Sequence, residues 1–402
     1  MTYDDELAAR YPAGFLWGAA TAAHQIEGNN INSDWWAREH AVPASVKEPS
    51  GDAVDSYHRF DEDIRLLADA GLRTYRFSVE WARIEPAPGC FSNAELAHYR
   101  RMIEACVTAG VEPMVTLMHF TTPQWFAQSG GWTQERAVEL FVRYVRRVMG
   151  ILGDDVRLVC TINEPNIASM MARFHDESAD LQAAGLPEPD MAIAEALRDA
   201  HKAAVSVLRE GGYQAGWSVA TQAFYADACE DRDGAPTADE VLRAYAWPRE
   251  RWFIDAARGD DFIGVQAYTR TRITASGPQP VPDGAELTKN GWEYYPQASG
   301  DGIDLVRAML PDMPIYITEN GIATDDDARR VDYLRGSLTA IADRIEGGAD
   351  VRGFYCWSLL DNYEWGDFAP TFGLIAVDRE TFERTAKPSL GWLGQIAQRC
   401  RE

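Results

Sequence analysis

Short apolar runs alternate with longer amphipathic segments along most of the chain. The runs are rich in β-branched and aromatic residues and are bounded by turn residues, which is typical of buried strands. We therefore predict strands at eight places, namely residues 15–21, 74–79, 112–118, 158–162, 216–220, 262–267, 315–319 and 353–357.

The segments between these runs carry apolar residues at helical spacing, and most of them end at a glycine. Thr133 is the expected cap of one predicted helix, and Pro248 is expected to kink or split another. A segment at 276–302, rich in Gly and Pro, is too long for an ordinary connection and predicts a functional loop over a site. Helices are predicted at residues 52–71, 93–110, 133–153, 190–212, 237–259, 303–310, 326–347 and 389–399.

Regular alternation of strands and helices indicates parallel strands with helical crossovers. Eight such units in 402 residues fit one α/β domain, a (β/α)8 TIM barrel with loop insertions that spans residues 1–402. A doubly wound open sheet is the alternative, but no glycine-rich phosphate loop follows the first predicted strand.

Composition and charge narrow the choice of partners. The formal net charge is −24, which repels nucleic acid and anionic membrane surfaces, and it suits a protein that acts on neutral ligands. The acidic N-terminus has no apolar signal region, and no run of about 18 apolar residues predicts a membrane span.

Six scattered cysteines predict free thiols in a reducing cytoplasm. The seven histidines show no metal-ligand spacing, so neither a metal nor a cofactor is predicted.

Polar and charged residues gather at the predicted strand ends, where parallel barrels place their catalytic side chains. Glu319 ends an apolar strand before the turn dipeptide Asn320-Gly321. Glu164 ends another, and the following Pro165 favours an extended backbone for it. Two carboxylates on one barrel face suit glycoside hydrolysis, in which one stays protonated and the other stays charged. The strand-end set is Gln25, Arg76, His119, Asn163, Glu164, Tyr268, Glu319 and Trp357, with Glu364 and Trp365 in the last loop.

At these residues the chain resembles the family 1 glycoside hydrolases, the β-glucosidase family. Thr161-Ile-Asn-Glu-Pro165 is similar to the acid/base motif of that family, and Ile317-Thr-Glu-Asn-Gly321 to its nucleophile motif. The segment 15–28 resembles the N-terminal signature of the family, and 357–365 resembles its last sugar-binding loop. Together these motifs cover nearly the whole chain in the order of the family.

The resemblance implies a role for each residue of the set. Glu319 would be the nucleophile of a retaining β-glycosidase and Glu164 the acid and then the base, while Arg76 and Tyr268 would keep Glu319 charged and oriented. Trp357 would be the floor under the terminal sugar, and Trp365 would donate from its indole N–H. The hydroxyls of that sugar would be bound by Gln25, His119, Asn163 and Glu364.

Three residues depart from the family pattern. Phe120 stands where many members have Trp, Gln266 stands where an Asn is usual, and Glu80 stands where many bacterial members have a small residue. Trp292, in the long loop, is open to two interpretations, loop packing and substrate contact.

Two functions compete with hydrolysis of a terminal neutral β-linked sugar. One is transglycosylation, which shares the first half-reaction, and the other is a catalytically silent carbohydrate-binding protein on the same scaffold. The sequence does not distinguish glucose, galactose, fucose and mannose as the sugar, and it leaves the aglycone and the oligomeric state open.

Overall fold

Eight parallel strands close into a barrel in the computed structural model, which describes residues 2–43, 45–171, 185–232 and 234–400. The strands are β1 (Leu16–Ala20), β2 (Thr74–Ser78), β3 (Glu112–Thr116), β4 (Leu158–Asn163), β5 (Gln214–Thr221), β6 (Phe262–Ala267), β7 (Ile315–Asn320) and β8 (Val351–Trp357). Their order around the barrel is β1-β8-β7-β6-β5-β4-β3-β2, so β1 pairs with both β2 and β8. This confirms the predicted barrel.

Helices surround the barrel and connect its strands. The described α-helices are Tyr3–Ala9, Ala23–Ile26, Asp34–Glu39, Ser56–Ala70, Trp81–Ile84, Asn93–Thr108, Gln124–Gln128, Ala137–Leu152, Pro165–Met170, Met191–Glu210, Ala238–Ala246, Trp252–Ala256, Ala298–Met309, Asp327–Glu346 and Pro388–Arg399. Short 3-10 turns lie at Gly131–Thr133, Gly153–Asp155 and Ala228–Glu230. The predicted break at Pro248 is present, because a π-helical turn at Trp247–Arg251 separates two α-helices.

Three helix starts differ from the prediction by four residues or more. The helix predicted at 52–71 begins at Ser56, after Asp55, whose backbone is left-handed. Thr133 caps no α-helix, because it lies in a 3-10 turn and the next residue is extended, so the helix begins only at Ala137. The helix expected from 303 begins at Ala298 and includes two glycines. A Cβ on Gly302 would come within 2.7 Å of the side chains of Thr221 and Val265, so close packing explains a glycine inside this helix.

The core has two parts. Most buried apolar residues lie between the strands and the surrounding helices. A second cluster contains Met114, Leu158, Phe262, Tyr316 and Tyr355, which come from five different barrel strands. The strands are buried on both faces, as expected for a parallel barrel whose interior is packed with side chains.

Smaller strands lie in the loops that follow the barrel strands. A three-stranded sheet joins Phe224–Ala226, Thr271–Thr274 and Gly277–Pro278, which follow β5 and β6. A two-stranded antiparallel sheet, formed by Ile375–Val377 and Arg384–Ala386, follows β8. None of the described helices is both long and apolar enough to cross a membrane.

Candidate active site

A cavity of about 900 Å³ is lined by residues at and beyond the carboxyl ends of the barrel strands. Eight of the ten predicted site residues line it, namely Gln25, His119, Glu164, Tyr268, Glu319, Trp357, Glu364 and Trp365. The other two, Arg76 and Asn163, are fully buried and contact lining residues. Both glutamates of the two motifs therefore reach one cavity, although they are far apart in the sequence.

The carboxylate of Glu319 is held on both of its oxygens. Arg76 Nη1 donates to Oε1 at 2.6 Å, and Tyr268 OH donates to Oε2 at 2.7 Å. Arg76 comes from β2 and Glu319 from β7, so the ion pair spans the barrel interior. Gly321 follows the strand, and a Cβ there would collide with the carbonyl oxygen of Trp357. A glycine at this position lets the end of β7 lie against the end of β8.

A layer of hydrogen bonds beneath the cavity fixes Arg76 and His119. Asn163 Oδ1 accepts from Arg76 Nη2 at 2.5 Å and from Gln266 Nε2 at 2.9 Å. The amide nitrogen of Asn163 therefore faces His119 Nε2, at 3.2 Å. This orientation makes Nε2 an acceptor, so Nδ1 carries the proton in the neutral ring.

Glu164 has a different environment. It lies at the turn between β4 and the helix Pro165–Met170 and has a left-handed backbone, with φ 41° and ψ 61°. The expectation of an extended backbone before Pro165 is therefore wrong. Its backbone N–H donates to Ser218 O and its carbonyl accepts from Ala168 N, so the chain must turn sharply here. No side chain in the described residues donates a hydrogen bond to its carboxyl group.

The pKa values of the two glutamates reflect these surroundings. Burial raises the pKa of Glu164 well above its ordinary value, and the nearby charge of Glu319 raises it further. Burial also raises the pKa of Glu319, but Arg76 and Tyr268 oppose that rise. Within the described part of the chain, Glu319 alone has donors on both carboxyl oxygens, so it loses its proton before Glu164 does.

Aromatic and polar residues at the ends of β1, β3 and β8 and in the loops that follow them form the other side of the cavity. Trp357 Nε1 donates to Glu364 Oε1 at 3.1 Å, and burial raises the pKa of Glu364 to about 8. His119 stacks on both Trp357 and Trp365, with ring centroids 5.8 and 6.1 Å apart. Burial lowers the pKa of His119 well below its ordinary value, so the ring is neutral. Gln25 Nε2 donates to Asn362 Oδ1 and to the carbonyl oxygen of Tyr363.

The three departures from the family pattern have clear positions. Phe120 lines the cavity with its ring edge-to-face against Trp365, so this position supplies no indole donor. Gln266 reaches Asn163, as described above. The carboxylate of Glu80 caps a short helix and accepts from Thr121 Oγ1 at 2.7 Å.

Sequence reasoning missed a buried group behind Trp365. The His24 ring stacks on Trp365 at 5.7 Å with an interplanar angle of 5°, and its Nε2 lies 2.9 Å from Glu39 Oε1. Trp35 packs edge-to-face against Trp365 and also lines the cavity. The signal was available, because His24 lies directly before Gln25 in the N-terminal motif.

The loop predicted at 276–302 does line the cavity, with residues 279–282, 287 and 291–293. Sequence reasoning missed the lining residues that follow β4 and β5, such as Ile167, Leu186 and Gln222. Trp292 does line the cavity, where it also packs against Tyr268 with ring centroids 5.7 Å apart. Its side chain thus takes part in loop packing and is available to a ligand. Within the described ranges, no cluster of His, Cys, Asp and Glu is arranged to hold a metal ion.

Comparison with known proteins agrees with this geometry. The family model of Glycosyl hydrolase family 1 matches residues 7–259 and 265–401. The chain belongs to glycosyl hydrolase family 1. It is 32% identical to thermostable β-glucosidase B of Thermobispora bispora, over 97% of this chain and 91% of that protein. It is 31% identical to a bifunctional β-D-glucosidase/β-D-fucosidase of Bifidobacterium breve, over 95% of this chain and 97% of that protein.

Solved structures of this family share the fold. The crystal structure of β-glycosidase BGL167 superposes with a TM-score of 0.88 at 41% identity and covers 97% of each chain. A β-glycosidase from Pyrococcus horikoshii superposes with a TM-score of 0.86 at 32% identity, over 98% of this chain and 96% of that one. The family 1 chain described here is therefore a glycoside hydrolase of the β-glycosidase type, as the resemblance implied.

Proposed function

We propose that this family 1 enzyme releases a terminal, non-reducing, neutral β-linked sugar by double displacement, with retention of configuration. One observation carries the proposal: two carboxyl groups face one cavity, and among the described residues a cation and a hydroxyl donate to the oxygens of Glu319 alone. Such a pair supplies a charged nucleophile and a protonated acid at the same pH.

In the first step, a carboxylate oxygen of Glu319 attacks the anomeric carbon and the bond to the leaving oxygen breaks. The proton of Glu164 passes to that oxygen, so a neutral alcohol departs and a glycosyl ester remains. In the second step, water attacks the anomeric carbon, Glu164 takes its proton, and Glu319 is released as carboxylate. Arg76 and Tyr268 orient Glu319 and keep it charged before the first step and again once the ester is cleaved. Arg76 is fully buried, so it excludes water from the far side of Glu319.

The sugar itself would lie against Trp357, among groups that complement its hydroxyls. Gln25 Oε1 and His119 Nδ1 are buried polar atoms with no partner in the described part of the chain. The first accepts hydrogen bonds and the second donates them, so together they fit the dual character of a hydroxyl. Trp365 would add its indole N–H. Asn163 would act from beneath, by fixing Arg76 and His119.

Glu364 bears on the class of sugar. Either protonation state of its carboxyl group binds a hydroxyl, but neither supplies the positive charge that a sugar phosphate needs. We therefore propose a neutral sugar rather than a 6-phosphorylated one. A panel of nitrophenyl β-glycosides of glucose, galactose, fucose and mannose, compared by kcat/KM, identifies the sugar. A 6-phosphoglucoside that outperforms all four would contradict the proposal.

Proton NMR of the first-formed product tests the mechanism directly. We expect the β-anomer of the free sugar to appear first and the α-anomer to follow by mutarotation. Initial formation of the α-anomer would exclude double displacement. Added methanol distinguishes hydrolysis from transglycosylation, because a transglycosylase would yield mainly the methyl glycoside, and a silent binding protein would yield no product.

We also propose a single catalytic domain over residues 1–402 that works in a reducing compartment such as the cytoplasm. Every proposed site residue comes from the one barrel or its loops. All six cysteines are free thiols, and three of them, Cys106, Cys160 and Cys356, are buried. Free thiols are typical of proteins kept in reducing surroundings.

A further inference from the structure

The cavity has a second half, which we define by the lining residues other than those around Trp357 and Glu364. Residues that follow β4, β5 and β6, together with the segment 279–293, line this half. Since Glu164 is the proposed proton donor to the leaving oxygen, this half receives the leaving group. Its described lining is largely apolar and includes Ile167, Leu186, Val281, Leu287 and Trp292, and Phe372 joins them from the loop that follows β8.

The polar side chains in this half are mostly engaged with other protein groups. Arg270 forms a bidentate pair with Glu293, at 2.7 and 3.0 Å. Arg272 pairs with Asp227 at 3.1 Å, and Gln279 Nε2 donates to a threonine hydroxyl at 3.0 Å. A second sugar needs several hydrogen-bond partners to replace its lost hydration, and these side chains offer few.

Aromatic rings extend this apolar surface from the nucleophile to the rim. Tyr268, which contacts Glu319, lies 5.7 Å from Trp292 and 5.9 Å from Phe372 between ring centroids. Trp292 and Leu287 at the rim are 37% and 54% exposed. Large apolar side chains exposed around a cavity mouth are typical of a binding surface.

The segment that carries Val281 is held in place before any ligand arrives. Pro280 and Pro282 flank Val281, and proline fixes its own backbone dihedral angle φ. The backbone N–H of Gln279 donates to the carbonyl oxygen of Arg272 at 2.9 Å, which ties the segment to the small three-stranded sheet. A preformed apolar wall gains affinity because little ordering accompanies binding.

We propose that the leaving-group half takes a large apolar alcohol, such as a long-chain or polycyclic aglycone, in preference to a second sugar. This inference rests on the proposed roles of Glu164 and Glu319. The free surface on this side offers ring faces and aliphatic side chains, so affinity grows with the apolar area that the aglycone buries.

A series of alkyl β-glycosides from ethyl to octyl tests the inference, with the sugar that gives the highest kcat/KM in the nitrophenyl panel. The leaving alcohols are nearly equal in acidity, so only the buried area changes along the series. We expect kcat/KM to rise about two- to fourfold for each buried methylene, at concentrations below micelle formation. The same sugar β-linked to glucose should be cleaved more slowly than the octyl glycoside.

A matched pair of variants locates the effect. Trp292→Ala should lower kcat/KM for the octyl glycoside at least about fivefold more than for the ethyl glycoside, because it removes part of the apolar wall. Trp247→Ala removes another exposed tryptophan, 49% exposed and outside the cavity lining, and should leave both values as in the parent. Val281→Ser should act as Trp292→Ala does, which guards against misfolding of one variant.

The outcomes separate the two proposals. A flat alkyl series, or faster cleavage of the disaccharide, would overturn the apolar-aglycone inference while hydrolysis persists. Absence of hydrolysis for every glycoside, nitrophenyl glycosides included, would instead overturn the proposed function.

Discussion

Glu319 and Glu164 face the same cavity from the ends of two barrel strands, yet their surroundings differ. Glu319 accepts hydrogen bonds from Arg76 and Tyr268, whereas no described side chain donates to the carboxyl group of Glu164. Burial acts on both, so the difference in their ionisation comes from the donors. The barrel brings the two groups together, and the neighbouring strands decide which one carries the charge.

The backbones of the two residues differ as well. Glu319 belongs to β7, where it pairs with Gln266 of β6, while Glu164 takes a left-handed conformation at the start of a helix. A non-glycine residue with positive φ is uncommon and costs about 1 kcal/mol or more. The sharp turn directs the Glu164 side chain into the cavity instead of along the helix, which places a proton donor beside the leaving group.

Loss of the nucleophile should have the largest effect. We expect Glu319→Ala to lower kcat/KM by at least about 10⁴-fold, because the covalent pathway is lost with its nucleophile. Azide should restore turnover of an activated aryl glycoside and give an α-glycosyl azide, since the anion fills the space on the same face. Glu139→Ala, on an exposed helix surface, is the control and should retain parent activity. Near-parent turnover by Glu319→Ala would remove this residue from the mechanism.

Loss of the acid should depend on the leaving group. We expect Glu164→Gln to lower kcat/KM by about 10²- to 10⁴-fold for alkyl glycosides, which need a proton on the departing oxygen. A dinitrophenyl glycoside should lose far less in this first step, since its leaving group departs as an anion. Equal losses for both substrates would mean that Glu164 does not act as the proton donor.

The pH profile sharpens the contrast between the two glutamates. The raised pKa of Glu164 sets the basic limb of the kcat/KM profile, because activity falls once the acid loses its proton. The acidic limb is set by the pKa of Glu319, because activity falls once the nucleophile gains a proton. Tyr268→Phe removes a donor to the charged form of Glu319. The acidic limb should therefore move to higher pH, with a loss of about tenfold at the optimum. A variant with lower activity but an unmoved acidic limb would show that Tyr268 does not tune Glu319.

The smallest change in kcat/KM is expected for a substitution in the hydrogen-bonded layer beneath the cavity. Gln266→Asn shortens the side chain by one methylene and breaks its hydrogen bond to Asn163 Oδ1. Arg76 still contacts Asn163, so we expect only a few-fold loss in kcat/KM, of the order of one ordinary hydrogen bond. Melting temperature serves as the control for folding. A loss as large as that of Glu164→Gln would mean that Gln266 acts directly on Glu319 or on the substrate, and not only through Asn163.

Much of the fold was predictable because strand and helix patterns repeat regularly along the chain. The errors occur where packing overrides local preference. Gly300 and Gly302 lower helix propensity, yet they lie inside Ala298–Met309, where a larger residue would collide with neighbouring side chains. Thr133 has a good capping side chain, but the extended residue after it delays the helix to Ala137.

A site residue was predictable where one short motif contains both that residue and the end of the strand that positions it. Glu164 with Asn163, and Glu319 with its following turn, are of this kind. Contacts between motifs were not predictable, because they depend on the register of several strands. The bond from Gln266 to Asn163 joins β6 to β4, and the stacking of His24 on Trp365 joins the two ends of the chain. The wall around Val281 depends on loop shapes that periodicity does not encode.

The ion pair between Arg76 and Glu319 joins residues that are 243 positions apart in the chain. A ribosome that has made the first three-quarters of this protein has therefore produced Arg76, Asn163 and Glu164 without the nucleophile they serve. Catalysis begins only after β7 and β8 have been synthesised and have sealed the barrel against β1. Enzymatic turnover can thus be used to time the completion of folding during translation.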